Sequence, residues 1–470
     1  MTVKRFADPR WTETQALSLD YSWAMAEGVG DQGLREEELE ELAPRLTALD
    51  RELAAARQSG ALTFLELPYQ VQVLPEVRRL TKPLLEWCWE FVVLAEAGAA
   101  PGVKALHEAL CHPQHNYLPI GRRHYWPSLW VLDSLDPDRL YGLLDSLQLR
   151  RTVFNVISKS GSGAQTLAPF LFVYRLMRGR VSAKAREHLI VTTDPEQGVL
   201  RRLVDLEGFP ALSLPAAVEE RFALLSPAGL LPAAMVGIDL EELLAGARFM
   251  DQRLQAAGPE RHLAYRLAAL IYLFACRRGR SQLVLMPGAA ALSGLAHWFC
   301  QLWAESLGKK SPAPAGTTPE SGRASHWQLY LEGPQDKLIT FLEVEKFQHH
   351  LEIPKLFGEL KGLDYLQGRS LNEAFQAQRQ AVAFHLRQAG RPSLTLSLPE
   401  INAFTIGQLI YLLEVVAVAA ASLFAVNPLD QPGVERLKMT AGGLLGQAGV
   451  TAQGREAAAA PPPLEKYRLS

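Results

Sequence analysis

Cysteine is scarce in this chain of 470 residues. There are four, Cys88, Cys111, Cys276 and Cys300, widely spaced and without a C-x-x-C pair. That pattern excludes a disulfide framework, argues against a zinc site and fits a reducing compartment, so a cytoplasmic location is expected. Net charge is nearly absent, at −2, which argues against a nucleic-acid partner held by bulk electrostatics. Met1-Thr2-Val3-Lys4-Arg5 leads into no apolar run, so no signal peptide is expected. The longest apolar stretch, around Leu409–Val426, is broken by Glu414 and ends in a proline turn. It reads as a buried helix and not as a membrane span. No dinucleotide fingerprint and no nucleophile–histidine–aspartate set stands out, so no cofactor is expected. What remains is 48% hydrophobic and 21% charged, ordinary for a soluble globular protein of about two to three domains.

Short apolar runs alternate with helical patterns. Phe91–Leu94, Leu129–Leu132, Val153–Ile157 and His188–Thr192 are strand-like, with helices expected from about Val103 and Thr166. Ser281–Met286 and Leu338–Val344 repeat the arrangement, with a helix through Ala304 between them. Such alternation indicates parallel sheets covered on both faces. The expected fold is α/β, with two doubly wound parallel-sheet domains at 61–204 and 261–395 joined by 205–260. A helical extension over 1–60, with an amphipathic helix at 34–58, precedes them. Helices at 371–388 and 400–423, a C-terminal helical segment within 396–440 and a disordered tail over 441–470 complete the expectation. Ligands in such sheets bind beyond the carboxyl ends of the strands, which directs attention to the loops after Leu94, Ile157 and Met286.

The loop Ser158-Lys159-Ser160-Gly161-Ser162-Gly163-Ala164-Gln165-Thr166 follows a strand and opens a helix. Hydroxyls, glycines and the exposed amides of a helix start suit a phosphate. The order of residues is not that of a Walker A loop.

Near the end, Asn427-Pro428-Leu429-Asp430-Gln431-Pro432-Gly433-Val434-Glu435-Arg436-Leu437-Lys438 resembles the D-Q-x-G-V-E-x-x-K signature of phosphoglucose isomerases. Leu429 stands where that family has an aromatic residue. The Ser158–Thr166 loop resembles the S-K-S-G-T-T-x-E-T phosphate loop of sugar-isomerase domains, with Gly163 for a Thr and Gln165 for a Glu. Gln301 to Lys309 looks like the E-S-x-G-K segment, and Arg221-Phe222 like G-G-R-[FY]-S with Glu219-Glu220 replacing the glycines. The matches run in family order from about residue 60 to 440. The resemblance implies two sugar-isomerase domains and a homodimer acting on a sugar phosphate without metal. By it, Ser158, Lys159, Ser160, Ser162 and Thr166 would hold the phosphate, and Gln301 and Gln431 would contact the sugar. Glu305 would move a proton between C1 and C2, as a carboxylate held on one face of an enediol can. Arg221 would steady the enediolate, and Lys438 with a histidine would open the ring.

Three segments depart from the family. Ala95-Glu96-Ala97-Gly98-Ala99-Ala100-Pro101-Gly102 stands for G-I-G-G-S-x-x-G, so Ala99 replaces a substrate-binding Ser and Glu96 introduces a carboxylate that could face the site or solvent. Ala324 falls where a partner-contributed histidine is expected, ahead of the strand-like Gln328–Pro334; His326 lies two residues further on. Glu219-Glu220 could salt-bridge Arg221, repel a phosphate or form a solvated turn. Two functions are therefore expected in competition. One is interconversion of glucose 6-phosphate and fructose 6-phosphate, at reduced or altered activity. The other is a catalytically impaired relative that binds a sugar phosphate or serves a structural or regulatory role. His349-His350 with Glu352, His107-Glu108, and His112 with His115 read as solvated turns and not as metal ligands.

Overall fold

The computed structural model describes residues 4–96, 98–318 and 326–460. Its strands are β1 (Ser18–Asp20), β2 (Glu90–Ala95), β3 (Ser128–Leu132), β4 (Thr152–Ile157), β5 (Leu189–Thr193), β6 (Ala211–Ser213), β7 (Gln282–Pro287), β8 (Ala315–Thr317), β9 (Lys337–Val344) and β10 (Ser393–Leu398). They form two five-stranded sheets, ordered β3-β2-β4-β5-β6 and β1-β10-β9-β7-β8. Every pairing is parallel except β1 with β10. The central strands β2, β4, β5, β7 and β9 are mainly apolar and almost wholly buried, as strands covered on both faces must be, whereas β10 alternates Leu with Ser and Thr. The two expected α/β units are thus present, with the short strands β1, β6 and β8 and the six-residue β10, none of them expected, added.

The helices that matter for the site are α1 (Glu36–Glu40), α2 (Ala43–Gln58), α3 (Ala100–Leu110), α4 (Ala164–Val181), α5 (Leu240–Ala256), α6 (Leu263–Arg278), α7 (Ser293–Leu307), α8 (Trp327–Glu332), α9 (Leu371–Gln388), α10 (Ala403–Leu423), α11 (Pro432–Leu444) and α12 (Thr451–Ala458). The expected helix over 34–58 is two helices, because Pro44 sits in the first turn of α2, where its missing amide costs nothing. Gln328 to Gly333, expected to enter a strand, are mostly helix α8; the strand begins only at Lys337. The N-terminal segment is not purely helical, since β1 edges the second sheet. Residues 441–460, expected to be disordered, carry the end of α11 and all of α12; 461–470 lie outside the described residues.

Helix α10 is the hub. Asn402 caps it, its side chain accepting from Thr405 N at 2.9 Å while Thr405 Oγ1 accepts from Asn402 N at 3.1 Å. Among the described residues it alone is long and apolar enough to cross a membrane, but 94% of its apolar window is inside the protein. Glycines let it touch α5 backbone to backbone. A Cβ on Gly246 would lie 1.8 Å from Phe404 O, and one on Gly407 would lie 2.0 Å from Leu243 O. Beside this contact, Asp251 of α5 accepts hydrogen bonds from Arg57 (2.8 Å), Tyr69 (2.5 Å), Gln255 (2.7 Å) and Tyr411 (2.5 Å). That buried anion ties α2 and α10 to α5.

Glu414, also on α10, is fully buried, and neither carboxyl oxygen has a partner among the described residues. Burial raises its pKa well above the usual carboxyl range, so it is held protonated. A raised carboxyl pKa favours the folded state below that pKa, and the advantage is lost as pH rises from the ordinary carboxyl range toward the folded value. Glu414→Gln should therefore match wild type in thermal unfolding below about pH 4. It should become the more stable of the two as pH rises, by up to about 1.4 kcal/mol per pH unit. Parallel melts of the two proteins across pH check this.

Candidate active site

The loop after β4 is shaped by two glycines. Gly161 has φ +57° and its Cβ would meet Leu200 N at 2.7 Å; Gly198 has φ +99° and its Cβ would meet Ser160 O at 2.5 Å. Only glycine suits such positions. The loop also holds itself: Gly161 N donates to Ser158 Oγ at 3.2 Å, and Ser162 Oγ to Ser160 Oγ at 3.1 Å. Thr166, in the first turn of α4, is buried with its hydroxyl unpartnered among the described residues. A free hydroxyl beside the amides of a helix start is an anion-binding arrangement.

Glu219 and Glu220 do not salt-bridge Arg221. They clasp the loop instead: Glu219 pairs with Lys159 Nζ at 3.0 Å, and Glu220 Oε1 accepts from Lys159 N at 2.6 Å. Burial raises the Glu220 pKa, and the nearby Glu96 and Glu219 add to it. Arg221 is almost fully buried. Its Nε donates to Ser306 Oγ at 3.2 Å and its Nη2 to Pro428 O at 2.6 Å. Its Nη1 has no partner among the described residues. Burial lowers its pKa, with Glu305, Glu219 and Asp430 pulling the other way.

Glu305 lies in the last turn of α7, one residue before the Ser306 that holds Arg221. Gln301, one turn earlier, donates from Nε2 to Glu305 Oε1 at 2.6 Å. The signature segment closes the site. Lys309 pairs with Asp430 at 2.5 Å and also reaches Asn427 O, while Gln431 immediately precedes α11 and its side chain makes no capping hydrogen bond. Lys438 lies 2.5 Å from Glu96 Oε2. Burial lowers the Lys438 pKa, but the Glu96 hydrogen bond and the charges of Glu96, Glu220 and Glu305 outweigh it and raise it. Arg221, Glu305 and Lys438 thus share one electrostatic neighbourhood with the Lys159 loop.

His326 stands at the start of α8 and stacks on Tyr330, ring centroids 5.8 Å apart. Ala324 lies outside the described residues. The loop after Met286 does not join the others at this site. It lines a separate cleft of about 850 Å³ with Leu110–Pro113, Gly237–Asp239, Glu242 and Lys346–Gln348. His349, His350 and Glu352 are exposed, as expected of a solvated turn. His107 and His115 are not: His115 is buried and His107 half-buried, because a helical turn and the following 3-10 turn (His115–Tyr117) direct both inward.

Comparison with known proteins settles the family. The profile described as "Phosphoglucose isomerase" matches residues 90–321. A glucose-6-phosphate isomerase of Carboxydothermus hydrogenoformans is 37% identical over 94% of this chain and 97% of its own length. One of Rubrobacter xylanophilus is 40% identical over 89% and 96%. The chain belongs to the phosphoglucose isomerase family. A hypothetical protein of Thermus thermophilus superposes with a TM-score of 0.80 at 34% identity, covering 94% of this chain and all of that one. The glucose-6-phosphate isomerase of Chlamydia trachomatis shares the fold, with a TM-score of 0.73 at 17% identity over 97% and 95%.

For a phosphoglucose isomerase, the feature missed from sequence is how two departures fit each other. Glu96 faces inward, 3% exposed. Its Oε1 has no hydrogen-bond partner among the described residues, and a Cβ on Gly163 would lie 1.7 Å from it. The glutamate occupies the space that a side chain at 163 would need. The available signal was the pairing of a charged, longer residue with one reduced to glycine, invisible until the loops are brought together.

Glu96→Gln keeps the shape and removes the charge. It should tighten binding of a hexose phosphate roughly tenfold, about 1.4 kcal/mol, most clearly at low salt. The gain stays below the roughly 4 kcal/mol of a bare carboxylate about 4 Å from the phosphate, because Lys438 already offsets part of that charge. Calorimetry at two ionic strengths reads it; equal affinity at both would mean that Glu96 does not sense the ligand.

Proposed function

We propose that this protein interconverts glucose 6-phosphate and fructose 6-phosphate through an enediolate, with Glu305 as the base. The observation that carries the reading is the arrangement of Arg221. Two of its nitrogens are fixed by Ser306 and Pro428, and Nη1 is left as a buried, unspent donor in the neighbourhood of Glu305. A guanidinium so clamped can meet the negative charge that develops when the carboxylate takes a proton from C2, without reorganising at that moment. Glu305 then returns the proton to C1. Gln301 orients the carboxylate, and Gln431 contacts the sugar. The phosphate rests on Ser158, Lys159, Ser160, Ser162 and Thr166. Lys438, kept protonated by Glu96, donates to the ring oxygen during opening, with His326 of a second copy as its partner. The reaction needs no cofactor, and a cytoplasmic setting suits both substrate and reduced cysteines.

Glu305→Gln should bind substrate nearly as wild type and lose turnover, since the amide cannot accept a proton. A coupled assay for fructose 6-phosphate with solvent deuterium incorporation at C2 checks this. Persistent exchange in the variant would remove Glu305 from its role. Binding without turnover in the wild type would favour the impaired, binding-only relative, for which Glu96 in the loop is the supporting observation.

A homodimer belongs to the same proposal. Helix α10 cannot form its interface, being enclosed within the chain. The support lies on α11, where Val434, Leu437 and Leu444, with Leu445 just beyond, are exposed at helical spacing. Sedimentation at micromolar concentration should show twice the 51.9 kDa chain mass, and Leu437→Glu should shift the population to monomer. A wild-type monomer would overturn the dimer.

A further inference from the structure

At the far end of α3 from Ala99, three side chains meet that the isomerase chemistry does not use. His107 and Cys111 are one helical turn apart, Cys111 N donating to His107 O at 3.0 Å, so both project to one side. The chain then folds back through the turn at His115–Tyr117 and sets the His115 ring edge-on to His107, centroids 5.1 Å apart. One ligand atom from each of His107, Cys111 and His115 lies within 4.8 Å of the others.

We propose that His107, Cys111 and His115 form a site for a borderline-soft divalent transition ion, Zn²⁺ above all. Two further observations point to a ligand. His107 Nε2 is buried with no hydrogen-bond partner among the described residues, a costly arrangement unless something fills it. His115 Nε2 lies 2.9 Å from Pro127 O. Donation to that carbonyl leaves Nδ1 with its lone pair free, the outer hydrogen bond typical of ligating histidines. Imidazole and thiolate are the donors that Zn²⁺ prefers, at about 2.0–2.3 Å. Tetrahedral ligand atoms then sit about 3.5 Å apart, so the cluster closes by up to about 1.3 Å on binding, within reach of side-chain rotation. The Cys111 thiol gives up its proton to solvent as the S–metal bond forms. Cys111 also lines the cleft of about 850 Å³, which provides the entry path and a water for the fourth position. The expectation of no zinc site rested on cysteine spacing and on reading His107 and His115 as solvated turns; it did not set the two histidines beside Cys111. The ion would pin the end of α3 to the segment leading into β3.

The test uses the full chain, stripped by chelator and titrated with Co²⁺ as a visible probe. One equivalent should bind with a thiolate-to-cobalt charge-transfer band. Zn²⁺ should displace it and raise the unfolding temperature. Cys111→Ser should lose the band and weaken affinity on the order of 100-fold or more, beyond the cost of losing an outer hydrogen bond alone. Cys276→Ser, at an exposed position, should behave as wild type. If Cys111→Ser does not fold, alkylation of the wild type decides: Zn²⁺ should slow labelling of Cys111 and leave Cys276 unchanged. No band at one equivalent, an undiminished band in Cys111→Ser, or Cys111 labelling indifferent to Zn²⁺ would each overturn the site.

Discussion

The backbone contact between α5 and α10 is the constraint on which the rest of the structure depends. Gly246 and Gly407 bring two helices closer than any side chain would allow, and α10 in turn supports α2, α6 and α7. Because Glu305 and Ser306 lie in the last turn of α7, the Glu305 carboxylate and the hydroxyl that holds Arg221 take their positions from this packing. Asp251 fixes the same junction with charge-assisted bonds. It stays ionised because Arg57, Tyr411 and Tyr69 outweigh its burial and lower its pKa. A carboxylate with so many donors is a secure anchor, whereas removing one donor would expose the burial penalty. Chemistry at the strand ends therefore rests on a contact made entirely between helices.

Much of this was legible in the sequence, for identifiable reasons. The central strands other than β10 announced themselves because parallel strands covered on both faces are apolar at most positions, while β10 alternates Leu with Ser and Thr and was missed. The three-residue strands β1, β6 and β8 were not, since three residues carry no period. The chemical groups were readable one by one, as residue types in motifs. Their relations were not. Nothing in the local pattern told that Glu219 and Glu220 would turn to Lys159 and away from Arg221, or that His115 would be buried. Those outcomes depend on which loops meet, a property of the sheet order.

The site is also notable for how its cations are matched. Lys159 faces Glu219, Lys438 faces Glu96 and Lys309 faces Asp430. The pairs of Lys159 and Lys309 are partly exposed, and their worth to stability is small, whereas Lys438 meets a buried carboxylate. Their worth to the site is geometric, because each long side chain is held in one direction before any ligand arrives. Arg221 differs, spending two nitrogens on neutral acceptors and keeping the third.

The overlap between Glu96 and position 163 makes two distant positions depend on each other. Glu96 Oε1 lies where a side chain at 163 would begin. A larger residue there would require the carboxylate, the free end of a flexible side chain, to swing aside, and its contact with Lys438 would go with it. The direction in which that ammonium points is therefore set in part by the absence of a side chain on another loop.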